Sequence, residues 1–325
     1  MIISAHSESW PLKGSFSISR GTKTSVDVVV VEISDGSTRG VGEAVPYPRY
    51  NQGVEETLEI IQDITSTHGS ELTRDLLRQQ YPPNAARNAL DCALWDFEAK
   101  SNATSAWQIA GLSKPVPVIG AYSLSLEPPE QLAKNAQDAV KFPLLKVKLG
   151  KDQVVESVAA VRDARPDARI ILDANEAWDI NMFERVIPAL KQLEVEMIEQ
   201  PLPSEIDVTL DDIESDIPLC ADESFHNADD LQRLTNRYEI FNIKLDKTGG
   251  LTEALILADR VLSEGKKVMV GSMMATSLGL APAMLLTHRA AYVDLDSSVW
   301  LAKDRQNSIC FEGGILQPSD PNLWG

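Results

Sequence analysis

Apolar and polar positions follow different rhythms in the first third and the remainder of the chain. The first 45 residues carry strand-forming runs. Ile2 to Trp10, Val26 to Ile33 and Thr38 to Ala44 are predicted strands, the last two joined by a hairpin-like turn at Ser34-Asp35-Gly36-Ser37. Between the first two lies Lys13 to Thr24, rich in Gly, Ser and Thr, which reads as a surface loop or as a mobile lid carrying Lys13, Arg20 and Lys23. After Pro46-Tyr47-Pro48-Arg49-Tyr50 the pattern turns helical. Helices are predicted over Val54 to Thr65 and Glu71 to Gln79. A third, capped by Asn84, runs to about Lys100, with Ala86, Leu90, Ala93, Leu94 and Phe97 at core-facing spacing.

From Lys114 onward short apolar strands alternate with helical stretches. The strand centres fall near Val118, Val147, Ile171, Met197, Leu219, Asn242, Met269 and Val293, at intervals of 22 to 29 residues. That interval is one β-strand plus one α-helix, and eight such units are what a parallel (β/α) barrel requires. The period is one of structure, without a repeated motif. The expected division is an α+β unit over residues 1–112 and a barrel over 113–307, with the tail 308–325 returning to the first unit. Trp95 and Trp107 are expected in the core of the helical part.

Length and composition set outer limits. A chain of 325 residues with 43% hydrophobic content is ordinary for a barrel plus a smaller domain. No apolar run approaches the roughly 18 residues of a membrane span, and the N-terminus lacks a signal-peptide pattern. Cys92, Cys220 and Cys310 are far apart with no C-x-x-C, which fits a reducing cytoplasm better than a disulfide framework. The net charge of −18 disfavours nucleic acid and anionic membranes as partners. Assembly into a homo-oligomer stays open.

The strand ends carry the chemistry, because in such barrels the reacting groups lie where strands give way to βα loops. Strand two is Leu144-Leu145-Lys146-Val147-Lys148, whose two lysines share a face by the period of a strand. Like charges in an apolar strand are costly unless something nearby uses them. Strand three ends in Asp173-Ala174-Asn175, strand four in Glu199-Gln200-Pro201, strand five in Asp222-Glu223-Ser224, strand six in Lys244-Leu245-Asp246 and strand eight in Asp294-Leu295-Asp296. Three consecutive strands thus bring Asp173, Glu199 and Asp222 to one rim, where they repel unless a cation is shared. An all-oxygen set suits Mg²⁺ and argues against zinc or copper. His6, His68, His226 and His288 lack metal spacing.

Strands two and six stand on opposite sides of an eight-stranded barrel, so Lys148 and Lys244 would face each other across the metal. One could remove an α-proton and the other return it to the opposite face. Lys146 and the cation would depress the lysine pKa towards the working range. Asp246, two residues after Lys244, is expected to orient it. The rival from another class is a catalytically silent barrel that only binds a ligand. A base on each face argues against that.

K-V-K at 146–148, D-A-N at 173–175, E-Q-P at 199–201, A-D-E-S at 221–224 and K-L-D at 244–246 resemble the barrel signatures of the enolase superfamily, in its muconate lactonising subgroup. A lysine base with Mg²⁺ is a known arrangement of such sites. The resemblance spans essentially the whole chain and implies a modified TIM barrel, (β/α)₇β, of the α/β class with an N-terminal α+β capping domain. Within the subgroup, G-E-A-V-P-Y-P-R-Y at 42–50, A-A-R-N-A-L-D-C-A-L-W-D at 85–96 and D-L-D at 294–296 look like the dipeptide epimerases, closest to those acting on L-Ala-D/L-Glu. The resemblance implies that Asp294 and Asp296 bind the free α-amino group of the dipeptide and that Ser123, Ser272 and Met274 line its backbone. It also implies that Lys23 meets the distal carboxylate, at a position where the family more often has arginine, with Arg20 in reserve. Lysine is a point charge and cannot form the bidentate fork. Recycling of murein peptides is implied in the same way. Other reactions on this scaffold are those of N-acylamino acid racemase, o-succinylbenzoate synthase and muconate cycloisomerase, whose substrates carry no free ammonium.

Overall fold

The computed structural model describes residues 1–325. β1 (Ile2–Ile18), β2 (Gly21–Ser34) and β3 (Arg39–Ala44) form one antiparallel sheet in that order. Alternation along β2 explains how this sheet serves two layers. Val29, Val31 and Ile33 join the core of the neighbouring helices, while Val26, Val28 and Val30 join the main core with the barrel, since successive strand residues face opposite sides. The helices are α1 (Val54–His68), α2 (Arg74–Gln80), α3 (Ala85–Ser101) and α4 (Ala106–Ile109). Asn84 caps α3, its side chain accepting from Arg87 N at 2.8 Å. α2 begins at Arg74, three residues later than expected, because Thr73 supplies its cap.

The expected loop over Lys13 to Thr24 is the far end of a long hairpin. Pairing slips between Pro11 and Phe16, then resumes with Phe16 opposite Lys23 and Ile18 opposite Gly21. Proline offers no amide hydrogen to the ladder, so the break falls there, and pairing resumes beyond it. The tip is bound to the barrel, with Ser17 N donating to Ser125 Oγ at 2.8 Å and Leu126 N to Ser17 O at 2.9 Å.

β4 (Val118–Ile119) corrects the position of the expected first barrel strand. It pairs antiparallel with β14 (Ile315–Leu316), which pairs with β13 (Phe311–Glu312) in a separate small sheet. The first barrel strand is β5 (Tyr122–Leu124), beyond Gly120. Local apolarity does not reveal which partner a short run will find. The barrel continues through α5 (Pro129–Asp138), β6 (Leu144–Lys148), α6 (Val154–Ala164), β7 (Arg169–Asp173), α7 (Ile180–Gln192) and β8 (Val195–Glu199). A 3₁₀ segment (Asp207–Asp212) leads to β9 (Leu219–Ala221), followed by α8 (Ala228–Leu234), β10 (Ile240–Ile243), α9 (Leu245–Thr248), α10 (Leu251–Ser263) and β11 (Lys267–Gly271). α11 (Ser277–Leu280) and a 3₁₀ segment precede β12 (Ala290–Asp294), and only the short α12 (Ser297–Trp300) follows it.

β5 to β12 lie in sequence order with every neighbouring pair parallel. Ala121 N donates to Val293 O at 2.8 Å across the remaining seam. The fold is thus a modified (β/α)₇β barrel with an N-terminal α+β unit. Ala121, Leu144, Ile171, Met197, Cys220, Ile240 and Met269, with Tyr292 against them, pack as one apolar layer inside the barrel. No helix is long and apolar enough to cross a membrane.

The last residues of the chain run back to α3 and α4. Trp324 Nε1 donates to Cys92 O at 3.0 Å, Gly325 N to Asp96 Oδ1 at 2.7 Å, and Ala106 N to Gly325 O at 3.0 Å. Trp324 is buried in the main core. Trp324→Ala should therefore lower stability by roughly 3–5 kcal/mol, the cost of emptying a buried tryptophan site. Urea denaturation followed by circular dichroism checks this, and a midpoint equal to wild type would contradict the docking.

Candidate active site

The polar rim follows from the apolar layer by the period of the strand. Two residues beyond each layer member, on the same inward face, stand Ser123, Lys146, Asp173, Glu199, Asp222, Asn242, Gly271 and Asp294. Another two residues along β6 and past β10 come Lys148 and Lys244. Pairing aligns Lys148 with Asp173 and Asp173 with Glu199. Every charged member is buried.

Burial forces each charge onto an opposite one. Lys146 Nζ lies 2.6 Å from Asp294, 2.6 Å from Glu199 and 3.0 Å from Asp173. Lys148 donates to Asp173 Oδ2 at 2.5 Å, and Lys244 to Asp222 Oδ2 at 2.6 Å. Lys247, which the sequence reading passed over, donates to Asp222 Oδ1 at 2.6 Å and to Asn242 O at 3.1 Å. It follows Lys244 by three residues, the spacing that places two side chains on one side of a helix, and that was the available signal.

For Lys146 and Lys244 the surrounding carboxylates outweigh burial. Burial alone would lower Lys146, but Asp173, Asp294 and Glu199 outweigh it and hold the ammonium well above its ordinary range. Lys244 is raised likewise, by Asp222 and Glu199 against burial. The neighbouring lysine is a weaker influence than the encircling carboxylates. Burial would raise Asp173 and Asp222, yet Lys146 and Lys148 keep the first below the usual carboxylate range, and Lys244 and Lys247 keep the second there. Burial, with the charge of Asp173, pushes Glu199 up to about 8.

The donor chemistry suits a hard divalent cation, since Asp173, Glu199 and Asp222 offer only oxygen. Glu199 Oε2 is buried and accepts no hydrogen bond, although Lys146 Nζ lies 2.6 Å away in an unfavourable direction. The carboxylates do not converge as a ready cage, each being turned to a lysine instead.

Above the rim lies a cavity of about 550 Å³. Lys148, Asp222 and Lys244 line its floor, and Ser123, Ser272, Met274, Asp294 and Asp296 one side. Phe16, Lys23, Tyr47 and Tyr50 come from the N-terminal unit. Lys146 does not line the cavity, being enclosed by its three carboxylates and 1% exposed. Asp294 Oδ1 is buried without a hydrogen bond. Asp296 Oδ2 accepts from Ser123 N at 2.7 Å, and burial beside Asp294 lifts its carboxyl to about 6.

Arg20 and Lys23 part company at the hairpin tip. Arg20 bonds Glu223 Oε1 at 2.7 Å and Asn175 O at 3.0 Å, and pairs with Glu176 at 3.2 Å. Glu223, which follows Asp222 just past the end of β9, is the partner of this latch. Asn175, with φ of 44°, donates its backbone N to Asp173 Oδ1 at 2.9 Å and its side chain to Glu223 at 3.3 Å. Lys23 Nζ lies 5.3 Å from the centre of the Tyr47 ring and has no carboxylate partner. His226 sits edge-on to Tyr50 and contacts Glu223 O at 3.0 Å, and it does not line the cavity.

Asp246 does not touch Lys244. Strand β10 ends at Ile243, so Asp246 lies within α9, where its Oδ1 accepts from Asn88 Nδ2 at 2.8 Å and Val45 N at 2.9 Å. The period-two argument fails where the chain stops being a strand.

Comparison with known proteins places these features in a family. Residues 2–111 match the N-terminal domain of mandelate racemase / muconate lactonizing enzyme, and residues 130–321 match the enolase C-terminal domain-like family. The L-Ala-D/L-Glu epimerase of Escherichia coli K12 is 40% identical, over 95% of this chain and 97% of its own. The N-acetyl-D-glutamate racemase of a Pseudoalteromonas species is 41% identical, over 92% and 95%. Among solved structures, an enolase family member from Agrobacterium tumefaciens with homology to dipeptide epimerases, containing sodium, L-Ala-L-Glu and an ordered loop, superposes with a TM-score of 0.96 at 45% identity, covering 99% of each chain. The dipeptide epimerase of Enterococcus faecalis, complexed with Mg and L-Leu-L-Tyr, gives a TM-score of 0.90 at 26% identity, over 98% and 96%.

Asp246 yields a pH signature. Burial lifts its carboxyl from 3.8 to about 7. A carboxyl raised in the folded state binds its proton more tightly there than in the unfolded chain, so its contribution to stability declines as pH climbs from about 4 to about 7. Asp246→Asn removes the titration and keeps an acceptor oxygen. Its Tm should fall less than that of wild type across this window. Equal falls in thermal melts would exclude Asp246 as the source.

Proposed function

We propose that this chain, which belongs to the mandelate racemase / muconate lactonizing enzyme family, is a Mg²⁺-dependent dipeptide epimerase acting on the α-carbon of the C-terminal residue, with L-Ala-D/L-Glu as its substrate. The observation that carries the reading is the pair Lys148 and Lys244. They enter one cavity from β6 and β10, which stand opposite each other in the ring of eight strands. A barrel that only binds a ligand has no use for a base on each face. One lysine, in its neutral form, takes the α-proton, and the ammonium of the other returns a proton to the opposite face. When bound by Asp173, Glu199 and Asp222, Mg²⁺ supplies a Lewis acid for the negative charge that builds on the substrate carboxylate, and a counter-charge for the carboxylates that hold up the lysines. Lys146 keeps Asp173, Glu199 and Asp294 in place from below.

Asp294 and Asp296 receive the dipeptide ammonium. The buried Asp294 Oδ1 accepts no hydrogen bond and calls for a cation, and period two and the following turn bring both carboxylates to the cavity. Lys23, free of any ion pair, meets the distal carboxylate, while Arg20 is committed to latching the hairpin. Ser123, Ser272 and Met274 line the peptide. Three free thiols fit a cytoplasmic enzyme, for which murein-derived dipeptides are the natural supply. The 41% identity to an N-acetyl-D-glutamate racemase favours one second reading, racemisation of an N-acylamino acid.

Two measurements test these readings. In deuterated buffer with Mg²⁺, ¹H NMR should reveal α-deuterium entering both L-Ala-L-Glu and L-Ala-D-Glu. Lys148→Ala and Lys244→Ala should each abolish net epimerisation while sparing exchange from opposite epimers. Absence of exchange across a dipeptide panel sinks the assignment. Separately, Asp296→Asn should lower kcat/KM for L-Ala-L-Glu by about 100-fold, the scale of losing one partner of a buried charged pair. A wild-type enzyme that prefers N-acetylglutamate, with the variant unimpaired, would favour the second reading.

A further inference from the structure

Lys148 and Lys244 reach the cavity from backbones with different support. Lys148 ends β6, and the bonds around it stay within the barrel. It pairs in register with Asp173, Leu149 N donates to Asp173 O at 3.0 Å, and Trp178 Nε1 donates to Gly150 O at 2.9 Å. Lys244 stands at the head of α9, and the turn it opens is gripped from the N-terminal unit.

The grip comes from one side of α3. Arg87 Nε donates to Gly249 O at 2.9 Å and Arg87 Nη2 to Thr248 O at 2.5 Å, satisfying carbonyls that the end of α9 leaves open. Asn88 Nδ2 and Val45 N converge on Asp246 Oδ1. Asp91 accepts from Thr252 N at 2.9 Å and from Thr252 Oγ1 at 2.5 Å, while Trp95 Nε1 donates to Thr252 Oγ1 at 2.9 Å. Arg87, Asn88, Asp91 and Trp95 are all buried. The close approach needs glycine twice. At Gly249 (φ +71°) a Cβ would stand 2.5 Å from Arg87 Nε, and at Gly250 (φ +119°) 2.5 Å from Asp91 Oδ2. An apolar contact would have packed the two units together without these buried polar groups. What they add is direction, since each hydrogen bond fixes a specific atom of the turn that begins at Lys244.

We propose that α3 is the positioning element for one of the two bases: Asn88, through Asp246 and with Arg87 and Asp91 holding the same turn, fixes the line along which Lys244 approaches the α-carbon, and leaves Lys148 untouched. This rests on the two-base reading above. It has a consequence that a merely structural role lacks. Each epimer presents its α-proton to only one lysine, so a loosened α3 grip impairs exchange from one epimer alone.

The test measures initial rates of α-deuterium exchange separately from L-Ala-L-Glu and L-Ala-D-Glu with the Mg²⁺-loaded full chain. Lys244→Ala identifies the epimer whose proton Lys244 removes. Asn88→Ala and Asp246→Ala should each slow that same epimer by about 100-fold, the scale of a base misplaced by an ångström, and leave the other within about twofold. Asp246→Asn, which keeps an acceptor for Asn88 and Val45, should retain both rates. Equal slowing of both epimers, or of neither, in whichever variants fold with wild-type circular dichroism overturns the inference while the two-base reading stands. A wild-type enzyme that exchanges neither epimer overturns both.

Discussion

Charge can be buried only against opposite charge, and this constraint organises the molecule around the barrel rim. Asp173, Glu199, Asp222, Glu223 and Asp294 share that rim with Lys146, Lys148, Lys244 and Lys247, all of them sheltered from solvent. Neither set could be buried alone. The parallel register supplies the interleaving, putting Lys148 beside Asp173 and Asp173 beside Glu199 on adjoining strands. The apolar layer one step below closes the barrel to water and so raises the stakes of every pair above it.

The same constraint assigns unequal roles to chemically identical side chains. Lys146 is surrounded by three carboxylates and does not line the cavity. Lys148 and Lys244 each hold one carboxylate and open onto the cavity, where a substrate can take up their attention. Lys247 faces Asp222 from behind and frees Lys244 from neutralising it alone. Around this core the N-terminal unit acts at two places. Its hairpin closes over the cavity through Arg20 and Glu223, and its longest helix takes hold of the turn behind Lys244.

The rim was legible in the sequence because it follows from two simple periods. Recurrent strands at 22 to 29 residues imply the barrel, and alternation within each strand puts Asp173, Glu199 and Asp222 on one side. Legibility ended where those periods do. Val118 was read as the first barrel strand because nothing local distinguishes it from Tyr122 to Leu124. Lys13 to Thr24 was read as a loop because its polar residues gain order from pairing and from the barrel, neither visible in composition. Asp246 was placed beside Lys244 by a strand rule that no longer applies inside a helix. The partners of Arg87, Asn88 and Asp91 lie some 160 residues away, as in the separation of 158 between Asn88 and Asp246, and no periodicity reports a contact of that kind.

The central claim is that two lysines flank one α-carbon from opposite sides. A crystal structure of the chain with Mg²⁺ and L-Ala-L-Glu measures this directly. The account predicts Lys148 Nζ and Lys244 Nζ on opposite faces of the glutamate α-carbon, each at about 3–3.5 Å, the separation of a reactive pair. Both amines on one face, or Lys244 still bound to Asp222 and remote from the α-carbon, would contradict it.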